Sequence, residues 1–174
     1  MALWGRKPAG KLSWTETLEK FIRDYRKETP LLAQVPPELV RGFVAPSIYV
    51  MLSDGARQGQ EEMQLLAMLT TSPVLRGIKP SDFGVIIDEV IAGLGPIGGA
   101  DAANQMRALV EPLPERLRSP AYVFAARMAY ADQQQSPEER EALTNLQKWL
   151  GVPHSEAERI DRVLSEMVTA PPVG

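Results

Sequence analysis

Two pairs of carboxylates recur at a fixed interval in this chain. Asp54 precedes Glu61 by seven positions, and Asp132 precedes Glu139 by the same seven. Clustered carboxylates repel one another, and a hard divalent cation that takes oxygen ligands relieves that repulsion. The chemistry first expected of Asp54, Glu61, Asp132 and Glu139 is therefore binding of a divalent ion such as Ca²⁺, Mg²⁺, Mn²⁺ or Zn²⁺. A second use of the same groups is local. Glu139 holds the fourth place of Ser136-Pro-Glu-Glu139, where its carboxylate can meet a backbone N–H at a helix start, and Asp132 can satisfy turn amides.

Both pairs sit where one helical pattern ends and another begins. The segments align without a gap at an offset of 78 positions, which pairs Asp54 with Asp132, Glu61 with Glu139, Leu65 with Leu143 and Met68 with Leu146. This alignment predicts an internal two-fold repeat of helix-turn-helix units. Short connections require antiparallel neighbours, which would bring the two carboxylates of each copy together.

The elements that must position these turns are all helical in pattern. Ser13-Trp14-Thr15-Glu16 has the form of a capping box and predicts an amphipathic helix to about residue 28, with Trp14, Leu18, Phe21, Ile22 and Tyr25 on one face. Pro37 suits the first turn of a second helix, which Pro46 should kink or restart before Asp54. A third helix is expected over residues 60 to 70, burying Met63, Leu65, Leu66 and Leu69. Phe83, Ile86, Ile87, Val90, Ile91 and Leu94 fit a helical stripe without a miss after Lys79-Pro80. Gly93-Leu-Gly-Pro-Ile-Gly-Gly99 then reads as a helix connection, since it lacks both the preceding strand and the lysine of a phosphate-binding loop. A helix over residues 101 to 111 ends at Pro112-Leu-Pro114. Ser119-Pro120 reads as a cap and first residue for an alanine-rich helix over residues 121 to 131, placed at the centre of the bundle because small side chains allow close approach. Ser136 opens the next helix, with Leu143, Leu146, Trp149 and Leu150 inward, and Gly151-Val-Pro153 stops it. Ser155-Glu-Ala-Glu158 is a capping box for a last helix using Ile160, Leu164, Met167 and Val168.

The fold class expected is thus all-α, a single helical bundle domain over residues 36–170. An N-terminal extension, residues 1–35, precedes it, and a short tail, residues 171–174, follows. With 174 residues and 44% hydrophobic content, the chain can bury a substantial core. Its formal net charge of −3 and lack of a basic run argue against nucleic-acid binding. With no signal-like apolar segment and no run long enough to span a bilayer, a soluble cytoplasmic protein is expected, while the absence of cysteine excludes disulfides and thiolate metal sites without fixing the compartment. Trp4 and Trp14, among basic residues, are candidates for contact with a partner or a membrane surface. No serine has a histidine at a motif spacing, and His154, the only histidine, reads as an exposed loop residue or a cap neighbour. No enzymatic activity is expected.

The layout Leu113-Pro-Glu-Arg-Leu-Arg118, the alanine-rich helix, Ala131-Asp132, Ser136-Pro-Glu-Glu139, Leu143 and Leu150-Gly-Val152 resembles the tellurite-resistance protein B (TerB) family and its co-chaperone-like relatives. Each half of that family carries an Ala-Asp-Gly turn with a glutamate seven residues on. Here the first copy has Ser53-Asp54-Gly55 followed by Ala56-Arg57, and the second has Ala131-Asp132 followed by Gln133-Gln134. The resemblance spans about residues 40 to 168. It implies an all-helical protein-interaction domain whose acidic positions, Asp54, Glu61, Asp132 and Glu139, bind a divalent metal ion within a stress-response or membrane-associated assembly. The alternative is a metal-independent adaptor that uses its N-terminal helix and a groove in the bundle.

Overall fold

A computed structural model describes residues 37–54, 59–71, 75, 78–96, 99–130 and 135–169. The helix expected over residues 14 to 28 lies outside these. Seven helices and no strand are present among the described residues: α1 (Pro37–Met51), α2 (Gly59–Thr71), α3 (Pro80–Leu94), α4 (Ala100–Val110), α5 (Glu115–Ala129), α6 (Pro137–Leu150) and α7 (His154–Thr169). The protein is all-α. None of these helices is long and apolar enough to cross a membrane.

Helix α1 is the hub. Every residue from Gly42 to Met51 is buried, the signature of a helix enclosed on all sides. It packs against α2, α3, α4, α5 and α6, most extensively against α5. The chain does not restart at Pro46, and α1 runs through it as one helix. A proline inside a helix forfeits the bond to the carbonyl four residues back. Burial of Phe43, Val44, Ile48 and Val50 outweighs that loss.

Helix α5 is the second central element, as its alanines suggested, but it starts a turn and a half earlier than expected. Its first residue is Glu115, behind Pro114, and Ser119 and Pro120 lie inside it. Ser119 is buried and caps nothing, because burial of Leu113 and Leu117 draws the chain into the core before the serine is reached. Phe124 of α5 meets Phe43 of α1 edge to face, with ring centroids 5.3 Å apart.

Gly42 marks the closest approach in this core. A Cβ built there would run into the Leu109 carbonyl oxygen at the end of α4 and lie 3.3 Å from Leu113 Cγ. Only glycine leaves room for that backbone oxygen.

The outer helices follow their sequence patterns in the main, but in α2 only Leu65 and Leu69 are fully buried and Leu66 partly, while Met63, expected inward, is exposed because it lies off their stripe. In α3, Phe83, Ile87, Val90 and Leu94 are buried, and in α4, Ala102, Met106 and Val110. Helix α6 buries Ala142, Leu143, Leu146 and Leu150. Trp149, expected in the core, is half-buried against it, edge to face with Tyr49 at 5.4 Å and with the Arg107 guanidinium 5.8 Å from its centroid. Gly151 stops α6 in the left-handed region at φ 66°, as Gly151-Val-Pro153 implied. Helix α7 begins at His154, so Ser155 lies inside it and not at its cap. Ala157, Ile160 and Leu164 face the core, chiefly against α5. The side chains of Met167 and Val168 lie outside the described residues.

The offset that aligned the acidic turns carries Pro37–Met51 onto Glu115–Ala129 and Gly59 onto Pro137, the first residues of α2 and α6. Helices α3 and α7 do not follow it, since Pro80 falls on Glu158, inside α7.

Candidate functional site

Asp54 lies just past the end of α1 and is exposed. Glu61 stands half-buried in the first turn of α2, where the helix dipole favours an anion. Asp132 lies outside the described residues. Glu139 is committed locally: its Oε2 accepts from the Ser136 amide at 2.8 Å, while the Ser136 hydroxyl accepts from the Glu139 amide at 3.1 Å. That closed capping box is the local use its position in the sequence suggested. The position that matches Ser136 in the first copy is Gln58, which lies outside the described residues. Among the described residues, no three His, Asp or Glu side chains converge in a metal-holding group.

A cleft lies elsewhere, between the α4–α5 corner and the α6–α7 corner. It encloses about 550 Å³ and is lined by Pro114 and Arg118 on one side and Leu150, Val152, Pro153 and Glu156 on the other. Arg118 ties the two corners together. Its Nε donates to the Leu113 carbonyl at 3.0 Å, Nη2 to the Glu111 carbonyl at 3.2 Å and Nη1 to the Leu150 carbonyl at 3.4 Å. These carbonyls lie at or just beyond the C-terminal ends of α4 and α6, where helices leave acceptors unsatisfied and partial negative charge accumulates. One guanidinium thus caps two helices with three of its five N–H donors. Glu115 and Glu156 add carboxylates to the lining, Glu156 with Arg159 Nη2 4.0 Å away.

A polar contact joins α5 to α7 behind this corner. The Tyr122 hydroxyl, on a buried ring, donates to Asp161 Oδ2 at 3.5 Å. Burial raises the Asp161 carboxyl above the usual carboxylate range, Tyr122 donation lowers it in part, and the charge of Glu158 raises it further. Tyr122 is itself pushed up, by burial first and then by Asp161. Such a phenol stays protonated and is no nucleophile. His154 is exposed and sits 3.1 Å from Glu158.

The cleft has apolar walls, a fixed cation and two carboxylates, and no nucleophile paired with a base lines it. Arg118 was visible in sequence only as part of the Leu113 to Arg118 string, because its three acceptors come from two separate corners. Asp161 gave no signal beyond a polar residue in a helix. Comparison with family models, with curated proteins and with solved structures gave no match.

Proposed function

We propose that this domain is a non-catalytic protein-interaction module that receives a segment of a partner protein in the cleft spanned by Arg118. The cleft carries the reading: its volume suits a few residues of an extended chain, its walls are apolar, and a few polar groups are fixed to orient the ligand. The TerB-like layout of the sequence agrees with such a role inside a cytoplasmic assembly. The acidic turns are not needed for it, so binding is independent of a divalent ion.

The test places a photo-crosslinking residue at the exposed Pro153 of the full chain in cells. Captured proteins are identified and the recombinant partner is titrated against wild type, Glu115→Arg, Glu156→Arg and, as a distant control, the exposed Met63→Glu. Charge reversal in the cleft should change affinity at least about tenfold, while Met63→Glu and added chelator leave it unchanged. Equal affinity of all variants would refute the cleft. Loss of binding in chelator would move the function to Asp54, Glu61, Asp132 and Glu139.

A further inference from the structure

Helix α7 is fastened by one stripe, Ala157, Ile160 and Leu164, chiefly on α5. Asp161 stands at the edge of that stripe, against Tyr122. Its Oδ2 takes the Tyr122 hydroxyl, but Oδ1 is sealed from solvent and has no hydrogen-bond partner among the described residues. An ionised oxygen in that position is costly, whereas a protonated carboxyl is not. Among the described residues, the charged and titratable groups facing the site are Tyr122 of α5, Tyr130 just past its C-terminal end, Arg140 of α6 beside Tyr130, and Glu158 one turn back on α7. No cation among them acts on Asp161 itself, and Glu158 adds a like charge.

We propose that α7 is a proton-dependent latch: with Asp161 protonated it seals onto α5, and with Asp161 ionised it is held more loosely. The upward displacement of the Asp161 carboxyl agrees with this and sets the sign. The docked helix keeps its proton to higher pH than the released one, so the added stability is full in acid and is lost as pH rises through the docked-state value. Glu156, in the first turn of α7, also lines the cleft, so release would reshape that surface. This last consequence rests on the proposed function, but the latch itself is tested without any partner.

Hydrogen exchange on the full chain reads it, with rates corrected for intrinsic pH dependence and α7 referenced to α6. The opening constant of α7 should rise with pH, by at most about tenfold per unit, from near the ordinary aspartate value of ~3.9 up to the docked-state value, and then level off. Asp161→Asn, which cannot ionise, should give an opening constant that is flat with pH and no larger than the acid limit of wild type. Tyr122→Phe removes the donor to the ionised form and should move the wild-type midpoint to higher pH. A flat wild-type profile overturns the latch. So does an Asp161→Asn profile that keeps the pH dependence, or a Tyr122→Phe midpoint that stays or falls.

Discussion

Gly42→Ala should destabilise this protein, although alanine is the better helix former. In an open helix position that exchange gains roughly 0.5 to 1 kcal/mol, because glycine loses more backbone entropy on folding. Position 42 is closed. The new methyl would press on the Leu109 carbonyl oxygen, a backbone atom that no rotamer change can withdraw, and crowd Leu113 Cγ at 3.3 Å. Helices α1 and α4 would have to move apart, and overpacking of this kind costs about 1 to 3 kcal/mol. Set against the propensity gain, the net loss is up to about 2.5 kcal/mol, with a midpoint of ~1.2 kcal/mol. At roughly 2 to 4 °C per kcal/mol for a chain of this size, the midpoint corresponds to a fall in Tm of about 2 to 5 °C and the upper limit to about 10 °C. The control is Gly84→Ala on α3, where a Cβ meets nothing within 4 Å, and which should raise Tm. Thermal and urea unfolding of the two variants beside wild type give opposite signs if the α1–α4 contact is as tight as described. A Gly42→Ala protein at least as stable as wild type would refute the reasoning.

Substitutions at three further positions probe other joints. Ser47→Ala should leave stability unchanged or raise it by up to about 1 kcal/mol in urea unfolding, because the Ser47 hydroxyl is fully buried and has no hydrogen-bond partner among the described residues. Ser136→Ala opens the capping box of α6 and should cost about 1 kcal/mol, with amide exchange in the first turn of α6 rising first. Arg118→Ala removes three hydrogen bonds to helix-end carbonyls and should cost about 1 to 3 kcal/mol, and Arg118→Lys should recover little of it, since an ammonium cannot span the same three acceptors.

The sequence was most informative where local pattern and tertiary demand agree. Helix α3 is legible because Phe83, Ile87, Val90 and Leu94 repeat at helical period and nothing between them competes. The end of α6 is legible because Gly151 adopts the left-handed conformation that glycine tolerates best. Local signals failed where burial overrode them. Ser119-Pro120 has the chemistry of a helix start, yet both residues lie within α5, because Leu113 and Leu117 had already committed the chain to the core. Pro46 likewise reads as a break and is absorbed by a helix enclosed on all sides. The candidate site was less legible for a different reason. The carboxylates at seven-residue spacing mark chain turns, and for Glu139 the turn uses the carboxylate itself. Arg118 and Asp161 depend on partners 32 and 39 positions away, Leu150 and Tyr122 respectively, and no periodicity carries that information.

The enclosure of α1 has a consequence for biosynthesis. Its most extensive contact is with α5, which follows it by 78 positions. At roughly 5 to 20 residues per second, a ribosome needs about 4 to 16 s to make that stretch. For those seconds the ten residues from Gly42 to Met51 have no completed pocket to enter. They form an uncharged apolar run with a proline in its middle. Pro46 thus has a use that the finished fold does not reveal, since a proline there obstructs pairing of nascent chains as β-strands until α5 arrives to bury the helix.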